Sequence, residues 1–209
     1  MTHDKASSWA YAEDIAVEPE LMAQARLEAA ELGITSLSPA TGQFLATLAR
    51  MPQVSTIAEV GTGTGLCGLY MLCASADAVL TTIDIESEAQ NYARDFFTKA
   101  GLRTSRYRII NGRSVDLLPR LAQESYDLVL LDGDPLEAEG DFHEAVRMLR
   151  KGGMIVIAHA LNNDRVADPA RRDETTVALR NLGHIAMESE EISCSLLPLG
   201  DGLLFGVKN

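Results

Sequence analysis

The sequence predicts an α/β fold: a mostly parallel seven-stranded sheet with a C-terminal antiparallel hairpin, preceded by N-terminal helices. Three observations predict it. Short apolar runs alternate with helical-period segments from Val54 to Ala158, which implies parallel strands joined by right-handed crossovers. A glycine turn, Gly61, Gly63 and Gly65, separates the first apolar run from a helical one. Two apolar runs near the end, Glu191 to Leu197 and Leu203 to Val207, are joined by the short turn Pro198-Leu-Gly-Asp-Gly202, the spacing of a hairpin.

The elements follow in order. Residues 1 to about 17 are polar and mixed, with Trp9 and Tyr11 as large aromatics, and read as an arm or frayed terminus. Glu18 to Leu32 reads as a helix, with Leu21, Ala25, Ala29 and Leu32 on one face and Gly33 ending it. A second helix starts after Ser38, with Pro39 at its first position, and Pro52 stops it. The chain is expected to divide into this arm and first helix, residues 1–34, and one domain, residues 35–209.

The first strand runs from Val54 to Val60, the helix behind the turn from Leu66 to Ala76, and the second strand from Ala78 to Ile83. Ser87 to Ala100 is helical, Tyr107 to Ile110 a strand, Asn111-Gly112 a turn and Val115 to Leu121 a short helix. Tyr126 to Leu131 is nearly all apolar, as suits a central parallel strand covered on both faces. A helix around Phe142 to Leu149, a turn at Lys151-Gly152-Gly153, the strand Met154 to Ala158 and a helix from about Asp173 to Met187 complete the reading.

Composition excludes several classes. The chain has 209 residues, 46% hydrophobic and 23% charged, an ordinary globular balance. Lys plus Arg number 18 against 30 Asp plus Glu, and the net charge of −12 argues against a nucleic-acid partner, which needs clustered cations to neutralise phosphate. The longest nearly apolar run, Leu66 to Ala76, is too short to span a bilayer, and the start shows no signal-peptide core. Cys67, Cys73 and Cys194 lack metal or disulfide spacing, so a reducing, cytoplasmic location is expected.

The chemistry gathers at one rim, because ligands in such sheets bind beyond the carboxyl ends of the strands. Glu59, Asp84, Asn111 to Ser114, Asp132 and the Ala158-His159 pair all fall there. Glycines let backbone approach a nucleotide-like ligand, and Asp84, at the end of the second strand, can accept both hydroxyls of a ribose. Read from Gly63, the spacing satisfies a nicotinamide-dinucleotide fingerprint. Read from Glu59, a carboxylate precedes the turn, which repels a diphosphate and favours an ammonium group. The second reading is preferred.

The order of these pieces resembles the S-adenosylmethionine-dependent small-molecule O-methyltransferases of the catechol and caffeoyl-coenzyme A type, over roughly Thr35 to Lys208. Ser38-Pro-Ala-Thr-Gly-Gln-Phe-Leu is similar to the family's lead-in segment, and implies that Thr35 and Leu37 lie beside the cofactor. Ala58-Glu-Val-Gly-Thr-Gly-Thr-Gly matches the glycine loop, implying contacts from Glu59, Gly61 and Gly63, with Cys67 near the methionine carboxylate. Asp84 and Ile85 correspond to the ribose-binding strand end, and Gly112, Arg113 and Ser114 to the turn bordering the adenine. Tyr126 to Asp134 resembles the family's Asp-Ala-Asp strand end. The resemblance implies a Rossmann-like methyltransferase fold, a small-molecule acceptor and a homodimer formed through the N-terminal helices.

The departures define the expected chemistry. In the family, the first Asp of that strand end and an Asp-Asn pair on the next strand bind a divalent metal. Asp132 is retained, but the pair is Ala158 and His159 here. One carboxylate and one imidazole make a poor site for a hard cation, so no metal ligand is assigned. His159 is the one obvious neutral-pH base at the rim, the alternative being a side chain that fills space or bonds to a backbone carbonyl. Asp132 and Asp134 are expected to orient the acceptor hydroxyl, the alternative being helix capping and solvent exposure. His3, His143 and His184 lie away from the rim and receive no role. The expected function is methyl transfer from S-adenosylmethionine to an oxygen of a small molecule without a divalent metal. The alternatives are a catalytically inactive S-adenosylmethionine-binding protein and an NAD-dependent oxidoreductase.

Overall fold

A computed structural model describes residues 5–209; the first part of the expected arm, with His3, lies outside the described residues. The helices are α1 (Lys5–Asp14), α2 (Glu20–Glu31), α3 (Pro39–Ala49), α4 (Leu66–Ala74), α5 (Ser87–Lys99), α6 (Ser114–Leu117), α7 (Ala138–Met148) and α8 (Glu174–Glu188). The strands are β1 (Thr56–Val60), β2 (Val79–Asp84), β3 (Tyr107–Asn111), β4 (Tyr126–Leu131), β5 (Leu149–Ile157), β6 (Ile192–Leu197) and β7 (Leu203–Lys208). They form one seven-stranded sheet in the order β3-β2-β1-β4-β5-β7-β6. The first five are parallel, and β7 runs antiparallel between β5 and β6.

That order follows from how each strand is buried. In β4 Leu128, Val129, Leu130 and Leu131 are all buried, as an apolar strand covered on both faces must be. One face packs Ile57, Leu128, Leu130 and Val156 against Leu45, Leu69 and Met71 of α3 and α4. The other packs Val129, Leu131, Ile155 and Ile157 against Phe142, Leu179 and Leu182 of α7 and α8. The chain leaves β1 toward β2 and β3, then returns to place β4 on the other side, so the strand order reverses between β1 and β4. A crevice opens at such a reversal.

Local signals set the helix starts. Ser38 is extended and its Oγ accepts the Thr41 N–H at 3.2 Å, with Pro39 behind it, so α3 begins capped. Asp173 caps α8 in the same way through Thr176.

Three boundaries differ from the sequence reading. Lys5–Asp14 is a helix with no buried residue, where an arm or frayed terminus is expected. Toward its end the Gly200 N–H donates to Glu13 Oε1 at 2.8 Å. Helix α7 starts at Ala138, a turn earlier than the apolar pattern indicates, because its first turn carries Glu139 and Asp141 rather than apolar residues. The expected turn at Lys151-Gly152-Gly153 is an irregularity inside β5: Tyr126 pairs with Leu149 and Leu128 with Met154, so β5 carries extra residues against β4. Gly152 takes a φ of +77° there.

Candidate active site

The crevice holds a cavity of ≈ 420 Å³ bounded by the ends of β1, β2 and β4 and by the segment before α3. The glycine turn forms its floor. Gly61 has φ +92°, and a Cβ there would lie 2.1 Å from the Asp132 carbonyl oxygen, so no other residue lets β1 and β4 close on each other. Gly65 has φ +84°, and its Cβ would sit 2.9 Å from that of Ala93, which lets α4 start directly behind the turn. Thr64 Oγ1 donates to the Ala25 carbonyl at 2.8 Å and pins the turn to α2.

Asp84 joins the turn to the next strand. Its Oδ2 accepts the Gly63 N–H at 2.8 Å and its Oδ1 the Glu86 N–H at 2.9 Å. A carboxylate has about four lone-pair sites, so both oxygens keep accepting capacity toward the cavity. At the far edge Arg113 is ion-paired to Glu137, whose other oxygen accepts from Ser114 Oγ at 3.1 Å.

The opposite edge is held by a network from the N-terminal region. The Arg26 guanidinium donates to the Leu37 carbonyl and pairs with Glu18 at 2.7 Å; Tyr70 donates its hydroxyl to Glu18 at 2.8 Å. Burial disfavours the Glu18 charge, but these donors outweigh it and hold its pKa below the usual carboxylate range. Thr35 and Leu37 are thereby fixed at the cavity wall.

Of the residues read from the sequence, Thr35, Leu37, Gly61, Gly63, Cys67, Asp84, Ile85, Gly112, Arg113, Ser114 and Asp132 line this one cavity. Glu59, also expected beside the cofactor, is not among the residues that line it. It is 0% exposed, and it shares with Ile57 the face of β1 that looks toward α4, beneath the floor rather than on it. Burial pushes its pKa up to about 8, opposed by the nearby Thr82 hydroxyl and reinforced by Asp132 and Asp84. Thr82, however, shares its hydrogen bond with Thr62 at 2.8 Å, and neither Glu59 oxygen has a partner of bonding geometry. Sequence reasoning missed Glu137 as a wall residue, because its place depends on Arg113.

A second cavity of ≈ 270 Å³ adjoins the first and shares Thr35, Asp132, Gly133 and Asp134 with it. His159 and Asp201 line its far side. Asp132, 15% exposed, stands at the junction. Burial raises its pKa to about 7, against the pull of His159 and with the push of Asp84. Its Oδ2 lies 4.0 Å from Cys67 Sγ, and burial drives that thiol's pKa well up, so the thiol is the donor. His159 Nε2 lies 3.5 Å from Asp132 Oδ1, close enough for charge attraction but not for a hydrogen bond, and it has no bonding partner.

Among the described residues no group of three or more His, Cys, Asp or Glu side chains is placed to hold a metal ion, and no helix is long and apolar enough to cross a membrane.

Comparison with known proteins agrees with this geometry. The family model described as O-methyltransferase matches residues 12–209. A Mycobacterium tuberculosis (H37Rv) relative that carries the name O-methyltransferase is 43% identical over 204 residues, covering 97% of this chain and 91% of its own. A crystal structure of a Corynebacterium glutamicum protein superposes with a TM-score of 0.88 at 36% identity, covering 98% of this chain and 96% of that one. The O-methyltransferase TomG of Streptomyces achromogenes, solved with S-adenosylmethionine, shares the fold at TM-score 0.85 and 22% identity over 100% of both chains.

Proposed function

The chain belongs to the O-methyltransferase family, and from that premise we propose that it moves a methyl group from S-adenosylmethionine to an oxygen of a small-molecule acceptor. The observation that carries the proposal is the pair of adjoining cavities sharing Asp132, one floored by the glycine turn and one lined by His159. The first has the volume of a small-molecule site. Its chemistry suits a cationic adenosine ligand. Asp84 offers paired acceptors for a ribose, and burial disfavours the charged forms of Glu59 and Asp132, which a nearby sulfonium or ammonium would stabilise and a diphosphate would not. A nicotinamide dinucleotide is disfavoured on the same ground.

The donor, when bound, supplies a methyl group already activated by the adjacent sulfonium. The chain's task is then alignment and proton removal. Asp132, at the junction, has its pKa raised to about 7 by burial, and in its protonated form it donates a hydrogen bond to the acceptor oxygen and holds it toward the first cavity. His159 Nε2, without a partner of its own, takes the hydroxyl proton as the oxygen–carbon bond forms and the carbon–sulfur bond breaks. The acids Asp134 and Asp141 also line this second cavity.

A divalent metal does not fit the donor set. Asp132 faces an imidazole that is itself tied to Asp201, and Ala158 brings no oxygen ligand to the site. We therefore assign no step to a metal. We also propose that the protein is a cytoplasmic homodimer, with residues 1–34 serving as dimer contact or acceptor cap. The apolar side chains of Trp9, Tyr11, Ile15 and Val17, half or more exposed, support this, and light scattering would read a monomer if it is wrong.

Calorimetric titration tests the donor site. Asp84→Ala should bind S-adenosylmethionine roughly 10- to 100-fold more weakly than wild type, the loss of about two charge-assisted hydrogen bonds. Equal affinity would reject the site. Formation of S-adenosylhomocysteine with a panel of phenols, run with and without chelator, tests the rest: turnover abolished by chelator would refute the metal-free reading.

A further inference from the structure

We propose that Asp201, in the turn of the β6–β7 hairpin, is a positioning residue that fixes His159 in the tautomer protonated at Nδ1 and so directs the Nε2 lone pair at the acceptor. This rests on the reading of His159 as the base.

His159 sits directly beyond β5 with φ +53°, a left-handed conformation uncommon for a residue with a Cβ, so its orientation is imposed from outside. The hairpin turn imposes it. Ala160 N–H donates to the Gly202 carbonyl and Leu161 N–H to the Asp201 carbonyl, each at 3.0 Å, which zips residues 160–161 to residues 201–202. Gly202 permits the contact: a Cβ there would lie 2.4 Å from Leu161 Cγ.

Within this clasp both Asp201 oxygens are used. Oδ1 accepts the Asn163 N–H, and Oδ2 lies 3.2 Å from His159 Nδ1. An ionised carboxylate only accepts hydrogen bonds, so Nδ1 must carry the hydrogen. In a neutral imidazole, Nε2 is then the unprotonated nitrogen. That atom faces Asp132 Oδ1 at 3.5 Å, at the junction of the two cavities, and is the one left without a hydrogen-bond partner. The residues are 42 positions apart, and neither carries a sequence signal of the other.

The arrangement makes an unusual prediction about Asp201→Asn. The side chain at 201 must keep an acceptor toward the Asn163 N–H, so an asparagine turns its carbonyl there and its NH₂ toward Nδ1. That forces the opposite tautomer, with hydrogen on Nε2 and no base facing the acceptor. The isosteric variant is therefore expected to be at least as damaging as Asp201→Ala, with turnover lowered roughly 100-fold, a typical general-base contribution, and the S-adenosylmethionine KM within about twofold of wild type. A role confined to holding the turn together predicts the reverse order, since asparagine preserves the turn better than alanine.

The test is ¹⁵N NMR of the histidine ring in the full chain, together with S-adenosylhomocysteine formation on the phenol panel. Wild type should show His159 protonated at Nδ1, and Asp201→Asn should show it protonated at Nε2. Retention of the Nδ1–H form in Asp201→Asn, or higher turnover in Asp201→Asn than in Asp201→Ala, would overturn the proposal. His159→Gln separates the two readings: full turnover in that variant removes the base assignment, whereas lost turnover with an unchanged tautomer in Asp201→Asn removes only the role of Asp201.

Discussion

The two ends of the sheet treat their buried acids in opposite ways. At the amino end Asp127, at the start of β4, is 3% exposed and fully engaged. Its Oδ2 accepts the N–H groups of Ser55 and Thr56, each at 2.8 Å, and both hydroxyls at 3.0 Å; its Oδ1 meets Arg150 at 2.9 Å. Burial works against its charge, but these donors together hold its pKa below the usual range. At the carboxyl end Glu59 and Asp132 are withdrawn from water with few donors, and their pKa values rise to about 8 and about 7. The difference teaches how a sheet divides labour. A saturated acid clamps strands together, whereas an unsaturated one keeps its interaction free energy for a ligand of opposite charge.

Removing Asp127 should give the largest effect. Asp127→Ala strands two strand-end N–H groups and the Arg150 charge, and should cost about 3 kcal/mol, the low end for a broken buried pair because Arg150 is itself 44% exposed. Urea denaturation checks this. A loss near zero would break the comparison, since a clamp would then be doing no clamping.

The unsaturated end should respond in the other direction. Glu59 titrates at 4.5 when unfolded and at about 8 when folded, so between those values the folded chain binds the extra proton. Its contribution to stability is complete below about 4.5 and is lost as pH rises through about 8. Glu59→Gln should therefore stabilise the ligand-free protein at pH 8.5, on the order of 1–2 kcal/mol, and leave it nearly unchanged at pH 4.5. Thermal melts at both pH values read this, and a destabilised glutamine variant at pH 8.5 would place Glu59 with the clamps. The same variant should weaken S-adenosylmethionine binding.

Ser38→Ala sharpens the comparison with the smallest effect. Ser38 lies at the carboxyl end but is saturated, as the cap of α3. Its loss should cost about 1 kcal/mol of stability and leave donor affinity within about twofold. If affinity falls with stability, saturation does not separate structural from ligand-binding groups here, and position along the strand is the better guide.

Much of this was legible before any coordinates. The glycine turn, Asp84 and the run Tyr126–Leu131 each stand out because local chemistry dictates them: positive φ, a strand-end acid, and an apolar strand buried on both faces. The depth of Glu59 was accessible but easily overlooked. Two-residue alternation puts it on the same face as the buried Ile57, which argues for a place under the helix rather than at the rim. The irregularity in β5 was not legible, because Gly152 and Gly153 read as a turn until β4 pairs on both sides of them. The start of α7 was hidden by a polar first turn.

By itself, then, the sequence determined the class of sheet, the order of its elements and the end at which chemistry gathers. These follow from periodicity and from backbone conformations that only certain residues adopt, and both are properties of neighbours along the chain. The tertiary structure alone decided which acids are saturated, that Arg26 holds Leu37, and that a hairpin turn 42 residues away meets His159. Hydrogen-bond satisfaction is a property of neighbours in space, and no local pattern records which distant donor reaches a given carboxylate.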